Sequence, residues 1–189
     1  MQFLTNKFPE FDLDNVVSRA INPKEDAADF YNYMNNKNVS EFTPISELPA
    51  SPEKAAIELN YWASLFPQRR SIFWGIADKN TNQLIGTVGC DIFSAAHNRA
   101  EISYDLDRNF WGNGIMTRSL QRIIKYFKEE IGVMRIQATV ASHNHKSIKL
   151  LESIGFENFN WTPYLYTIEN NNDLISTLYN DLNSKNYLP

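Results

Sequence analysis

Apolar residues recur along this chain with two periods, one of about two residues and one of three to four. The shorter period is typical of a half-buried strand, and the longer one of a helix with a single apolar face. Ile102, Tyr104 and Leu106 thus share one face of a predicted strand. The predicted elements, in chain order, are strand 16–21, a helix from residue 23, helix 52–66, strands 71–78, 83–93 and 99–106, a helix from residue 115 through 131, strand 135–140 and helix 145–154.

Capping residues mark where the predicted helices begin and end. Asn22-Pro23 and Ser51-Pro52 each combine an N-cap side chain with proline at the first helical position. Gly132 and Gly155 are suited to the positions that follow a helix, because glycine adopts the left-handed conformation without steric cost. The order of elements therefore predicts a mixed α/β (α+β) fold with one central sheet.

The C-terminal part of the chain is ambiguous. Residues 157–160 and 164–168 predict strands, and 173–179 would complete a hairpin across the asparagine-rich turn at 170–172. Apolar positions between 174 and 182 also fit a helix, so both alternatives stay open.

Composition limits the class of protein. The 189 residues are 43% apolar, which is enough for a core, and the length predicts a single domain over 1–189. The net charge of −4 and the absence of a basic block argue against nucleic-acid binding. Cys90 is the only cysteine, so no intramolecular disulfide can form. Without a signal-like or membrane-length apolar stretch, a soluble cytoplasmic protein that does not bind membranes is expected.

The loop at 107–114 contains two closely spaced glycines, Gly112 and Gly114, between a predicted strand and a predicted helix. Amides at a helix N-terminus have no intrahelical partner and face the positive end of the helix dipole, so they suit a phosphate. An ordinary tight turn would use the same glycines. The loop is neither a dinucleotide fingerprint nor a P-loop, because the third glycine and the Gly-Lys-Ser/Thr sequence are absent.

Two motifs here resemble those of GNAT-fold N-acetyltransferases, most closely the RimJ/RimL type that acetylates protein N-termini. The turn at 110–117 (Phe-Trp-Gly-Asn-Gly-Ile-Met-Thr) looks like the family's acetyl-CoA-binding turn. Asn144 and Ser147, followed by Gly155-Phe156, are similar to its Asn-x-x-Ser helix that ends in Gly-Phe. The strand before the turn and the first helix also match, so the resemblance spans almost the whole chain.

The resemblance implies a sheet of about seven mostly antiparallel strands, flanked by about four helices and splayed between strands 99–106 and 135–140. It implies acetyl-CoA as co-substrate, with the pyrophosphate on the amides of 112–117 and the pantetheine arm between the splayed strands. The chain departs from the family pattern at Trp111, Met116 and Ser103, none of which removes the backbone amides. The implied cofactor-binding residues are Trp111, Gly112, Asn113, Gly114, Ile115, Met116, Thr117 and Asn144.

The implied reaction is direct attack of a primary amine on the acetyl group, which needs a base to remove a proton from the ammonium form. Glu101 is the candidate base, directly or through water, and a solvated strand carboxylate is its alternative interpretation. Ser147 is the candidate donor to the departing thiolate, although a first-turn serine also simply favours a helix start. Tyr104 is expected in the core.

Several alternatives remain at this stage. The His143-x-His145 pair suggests solvated loop histidines more than a metal site, and no metal is expected. The acceptor is a protein N-terminus, or else a small amine such as a polyamine, amino acid or aminoglycoside. A non-catalytic acyl-CoA-binding module is a third hypothesis. The walls of the acceptor cleft, which fall in residues 35–50 and the C-terminal hairpin, decide between the first two. The chain is expected to be a monomer or a homodimer.

Overall fold

The computed structural model of the chain describes residues 7–94, 98–158 and 165–169. Within these residues, eight strands form one sheet, which five α-helices accompany. The strands are β1 (Phe11–Leu13), β2 (Val16–Ala20), β3 (Phe73–Asp78), β4 (Leu84–Ser94), β5 (Arg99–Leu106), β6 (Arg135–Thr139), β7 (Glu157–Asn158) and β8 (Leu165–Glu169). The helices are α1 (Pro23–Met34), α2 (Lys37–Ser40), α3 (Pro52–Leu65), α4 (Ile115–Tyr126) and α5 (His145–Ser153).

The sheet is mixed and mostly antiparallel, in the order β1-β2-β3-β4-β5-β6-β8-β7. Only β5 and β6 pair in parallel among the described strands. The predicted mixed α/β fold is therefore confirmed, with eight strands instead of about seven and five helices instead of about four. The additional edge strand β1 was not predicted, because its three residues are too few to show a period. The possible strand or helix at 173–182 lies outside the described residues.

The parallel pairing of β5 with β6 is short. It joins only residues 99–101 to residues 135–137. Beyond this point the two strands no longer pair, and residues 102–106 and 138–141 line a common cavity. The predicted splay between these strands is confirmed, and it opens the sheet in its interior.

Two apolar cores lie on the two faces of the sheet. The core under α4 and α5 contains Trp74, Ile102 and Leu120, which are all almost completely buried. The core under α1 and α3 contains Phe30 and Leu59, together with strand side chains such as Phe73 and Leu84 that point to this second face of the sheet. Because successive side chains of a strand point to opposite faces, β5 presents its odd-numbered and even-numbered residues to different helices.

The predicted helix starts are confirmed by their capping contacts. The Asn22 and Ser51 side chains accept hydrogen bonds from the N–H groups of Lys24 and Lys54, and proline follows each cap. The helix predicted to run through residue 131 is α-helical to Tyr126 and continues as a π-helical turn over Phe127–Ile131. Among the described residues, no helix is long and apolar enough to cross a bilayer.

A buried ion pair attaches α1 to the sheet. The Arg19 guanidinium donates to both carboxylate oxygens of Asp26, at 2.9 and 2.7 Å. It also donates to the carbonyl oxygen and the side-chain oxygen of Asn82, in the turn between β3 and β4. The Asp26 side chain is only 2% exposed and also accepts from the Asn22 N–H. The pair thus joins β2, the first turn of α1 and a hairpin turn.

We expect Asp26→Asn to lower the free energy of unfolding by about 3 kcal/mol, because it leaves the largely buried Arg19 charge without its carboxylate. Urea unfolding monitored by circular dichroism measures this change. Asp12→Asn is the matched control, since the Asp12–Lys79 pair is exposed and such pairs contribute little. Equal effects of the two substitutions would contradict the structural role of the Arg19–Asp26 pair.

Candidate active site

The cavity between the diverging strands has a volume of 780 Å³, within the range of small-molecule sites. One wall is β5 from Ile102 to Leu106, and another is 138–141. The turn before α4 and the first turn of α5 close it on one side, and α2 with the residues that follow it closes another. The cavity therefore collects residues from five separate parts of the chain.

The turn before α4 presents backbone amides to the cavity. Gly112 and Gly114 both have positive φ, 79° and 67°, and Gly114 occupies the N-cap position of α4 without a side-chain cap. The first intrahelical hydrogen bond runs from the Arg118 N–H to the Gly114 carbonyl. The three preceding N–H groups, at 115–117, have no intrahelical acceptor and face the positive end of the dipole. The predicted phosphate-binding turn has the geometry that an anion needs.

Side chains of the loop fix the conformation of this turn. The Trp111 indole N–H donates to the Leu106 carbonyl at 2.8 Å. The Asn113 amide donates to the carbonyls of Phe110 and Trp111. Asn113 does not line the cavity, whereas the other residues predicted to bind the cofactor do. The side chain of Asn113 thus shapes the turn.

Cationic side chains surround the Trp111 ring. The Arg108 guanidinium lies 5.0 Å from the ring centroid and the Lys146 ammonium 4.3 Å. Both residues line the cavity, as does Lys149, one turn further along α5. Arg108 and Lys146 thus lie beside the turn of backbone amides at 112–117 (the amide turn), and Lys149 adds a third positive charge to the cavity wall. This positive charge complements an anionic ligand.

The first turn of α5 brings Asn144 and Ser147 to the cavity. The Asn144 side-chain oxygen accepts from the Ser147 N–H at 3.1 Å, so Asn144 is the N-cap of α5. The Ser147 hydroxyl forms a hydrogen bond with the Tyr104 hydroxyl. Burial raises the pKa of Tyr104 to about 12, partly offset by the hydrogen bond to Ser147. The Tyr104 ring packs on the core as expected, but its hydroxyl lies at the site, which sequence periodicity could not show.

Glu101 lies at the last position where β5 pairs with β6, opposite Gln137. Its carboxylate accepts a hydrogen bond from the Thr139 hydroxyl at 2.9 Å. Thr139 lines the cavity, whereas Glu101 itself does not. The structure therefore places the predicted base beside the point where the strands separate, one side chain away from the cavity wall.

Asp105 was not predicted as a site residue. It lines the cavity, and its carboxylate accepts from the Tyr33 hydroxyl at 2.6 Å and from the Thr87 N–H and hydroxyl at 3.0 and 2.6 Å. Burial, followed by the Asp105 charge, raises the pKa of Tyr33 well above its usual value. Alternation along β5 puts Asp105 on the same face as Glu101. Its partners Tyr33 and Thr87 lie 72 and 18 residues away in sequence, so no local pattern could indicate these contacts.

Phe42 belongs to the cavity wall formed by α2 and the residues that follow it. It lines the cavity together with Val39 and Thr43, and its ring lies 5.5 Å from that of His143. Three other aromatic residues, Phe66, Trp62 and Trp74, pack on the two cores. Among the described residues, no group of three or more His, Cys, Asp or Glu side chains could hold a metal ion.

A turn of unpaired backbone amides that opens onto a gap between two parallel strands is the arrangement expected of an acetyl-CoA-dependent transferase of the GNAT type. The chain belongs to this family: residues 16–157 match the model described as acetyltransferase (GNAT) domain. It is an N-acetyltransferase, and the resemblance found in the sequence is confirmed.

Known proteins with related sequences or structures support this assignment. The chain is 31% identical over 150 residues to the uncharacterized N-acetyltransferase YoaA of Bacillus subtilis, covering 79% of this chain and 84% of that protein. The structure of ribosomal-protein-S5-alanine acetyltransferase from Vibrio fischeri superimposes with a TM-score of 0.75 at 23% identity, covering 87% and 98%. That of RimL, the ribosomal L7/L12 α-N-protein acetyltransferase, in complex with coenzyme A gives 0.72 at 18% identity, covering 85% and 97%. At these identities the two structures show a shared fold.

Proposed function

We propose that this N-acetyltransferase transfers the acetyl group of acetyl-CoA to the α-amino group of a protein N-terminus by direct attack. The observation that carries the proposal is the continuous cavity from the amide turn to the gap between β5 and β6. Two of the structural relatives are described as acetyltransferases of ribosomal proteins, which favours a polypeptide acceptor.

The residues present fit the proposed co-substrate. A Cβ at Gly112 would meet no atom within 4 Å, so the space beside the turn is open to a phosphate. The amides of Ile115, Met116 and Thr117 would bind the pyrophosphate, and Asn144 a pantetheine amide. The thioester supplies the activated acetyl group. Within the chain, a carboxylate accepts the proton that the amine loses, and a hydroxyl donates a proton to the departing thiolate.

Glu101 is the proposed base. Its carboxylate accepts a hydrogen bond from Thr139, which lines the cavity, and the acceptor proton reaches the carboxylate through one water or directly. The base removes a proton from the acceptor ammonium, so that the nitrogen lone pair becomes available for attack.

Replacing Glu101 with glutamine should lower kcat by up to about a hundredfold and leave the affinity for coenzyme A nearly unchanged, because the amide keeps the shape but cannot take a proton. Steady-state kinetics and calorimetry measure the two quantities. Glu157→Gln, an exposed strand carboxylate on β7, is the matched control. A Glu101→Gln variant that turns over like the wild type would show that Glu101 is not the base.

The proposed acceptor is tested by release of free thiol from acetyl-CoA with a panel of amines. The panel contains peptides with a free α-amine, the same peptides with a blocked N-terminus and a free lysine, and small amines such as a polyamine or an aminoglycoside. We expect turnover with the free α-amines only. Turnover confined to small amines would exclude the protein acceptor, and binding of coenzyme A without any turnover would indicate a non-catalytic module.

A further inference from the structure

The face of β5 that meets α1 and α3 is acidic. Asp105 projects from this face and is held by Tyr33 and Thr87. The Glu58 carboxylate on α3 and Glu47, in the short 3₁₀ turn Ile45–Glu47, lie near enough to interact electrostatically with one another. Residues 41–61 contain four glutamates, one lysine and no other charged residue, so this stretch carries −3 of the chain's net −4.

Glu58 is a half-buried carboxylate that lies near two other carboxylates, Asp105 and Glu47. Its pKa is raised to about 6, first by burial and then by the negative charges of Asp105 and Glu47. Within residues 7–94, 98–158 and 165–169, no side chain or backbone group is seen to donate to the Glu58 carboxylate. A half-buried carboxylate beside two others is stabilised by a cation, and the ion pairs among the described residues do not include Glu58.

Exposed apolar side chains lie on the same two elements. The exposed large hydrophobic residues of the described chain are Ile45, Ile57 and Tyr61, at 88%, 64% and 53% exposure. Ile57 and Tyr61 are one turn apart on α3, on either side of Glu58 in sequence, and Ile45 shares its 3₁₀ turn with Glu47. Large apolar groups gathered in one part of an otherwise polar surface are typical of binding sites.

This surface borders the acceptor side of the cavity. Asp105 belongs to the cavity wall and interacts electrostatically with Glu58, and Val39, Phe42 and Thr43, just before the 3₁₀ turn, line the cavity as well. The positive side chains Arg108 and Lys146 lie instead beside the amide turn. A cationic ligand is therefore favoured on the α3 side and an anionic one on the α4 and α5 side.

We propose that Ile45, Glu47, Ile57, Glu58 and Tyr61 form a docking surface for a basic polypeptide segment that follows the acetylated N-terminus of the acceptor. The glutamates bind its lysine or arginine side chains, and the apolar groups pack against the stems of those side chains. The inference rests on the proposed function and specifies it, since it makes charge downstream of the amine a determinant of acceptor choice.

The test uses three peptides with the same first two residues and with lysine, glutamine or glutamate at the next four positions. Thiol release gives kcat and KM for each at low and physiological salt. We expect KM for the lysine peptide to be about tenfold below that for the glutamine peptide, with kcat similar, because rim charges act mainly on association. The difference should shrink as salt rises.

The double variant Glu47→Gln/Glu58→Gln should lose the preference between the three peptides. Glu129→Gln/Glu152→Gln removes the same charge from exposed positions on elements outside the docking surface. This control variant should retain the preference between the three peptides. Ile57→Ser/Tyr61→Ser should raise KM for the peptides and leave KM for acetyl-CoA unchanged. Thermal unfolding of each variant verifies that it is folded.

Equal KM values for the three peptides, or a preference that survives Glu47→Gln/Glu58→Gln, would overturn the docking surface while leaving N-terminal acetylation intact. If only small amines were acetylated, the proposed function and the docking surface would both fail. Concentration-dependent dimerisation that Ile57→Ser/Tyr61→Ser abolishes would assign the surface to a second copy of the chain and would also overturn the proposal.

Discussion

Gly114→Val is expected to abolish measurable binding of coenzyme A. Gly114 has φ 67° and ψ 8°, and a β-branched residue is strongly disfavoured in this left-handed region. A Cβ there would also lie 3.0 Å from the Arg118 guanidinium, which donates to the Asn113 carbonyl within the same turn. Relief of the strain must rotate the peptide groups of the turn, and the amides of 115–117 then no longer converge on one phosphate.

Calorimetry should show an affinity for coenzyme A at least about a hundredfold weaker, since several charge-assisted hydrogen bonds to phosphate are lost together. Gly132→Val is the matched control. Gly132 also has a positive φ, 76°, and follows the opposite end of the same helical segment, where a Cβ would meet no atom within 4 Å. This control should lose stability through the same backbone strain and keep its affinity. A folded Gly114→Val variant with unchanged affinity would exclude the proposed pyrophosphate position.

Much of the fold could be predicted because its signals are local. The N-caps Asn22, Ser51 and Asn144, each within a few residues of its hydrogen-bond partner, indicate where helices begin. The glycine turn at 112–114 is likewise contained in a short segment. The splay between β5 and β6 came from the family resemblance. Nothing in the spacing of apolar residues indicates where two parallel strands stop pairing.

The acidic side of the site could not be predicted, because it depends on contacts between distant segments. Asp105 looked like one polar residue of an alternating strand, and its partner Tyr33 comes from a helix 72 residues earlier. Glu58 lies in the predicted helix 52–66, and nothing in the neighbouring sequence distinguishes it from the other polar residues of that helix. Its raised pKa depends on burial beside Asp105 and Glu47, which only the packing of α3 on the sheet produces.

The second large effect is expected from Ser147→Ala, which should lower kcat by about a hundredfold or more and leave the affinity for coenzyme A nearly unchanged. The Ser147 hydroxyl lines the cavity and bonds to the Tyr104 hydroxyl. We propose that Ser147 gives its proton to the departing thiolate, that Tyr104 returns a proton to Ser147, and that solvent water in turn reprotonates Tyr104. Burial raises the pKa of Tyr104 to about 12, so the phenol keeps its proton throughout the neutral and mildly alkaline range.

Two further variants separate proton donation from a structural role. Tyr104→Phe keeps the ring in the core and removes only the hydroxyl, so it should lower kcat with little change in affinity for coenzyme A. Ser153→Ala is the control on the same helix, because its hydroxyl bonds to the Leu150 carbonyl and does not line the cavity. The pH profile of the wild type should show no alkaline loss from Tyr104 below about pH 11. If Ser147→Ala bound coenzyme A normally and turned over like the Ser153→Ala control, Ser147 would not be the proton donor. Its role would then be limited to the first turn of α5, where its N–H donates to the Asn144 cap.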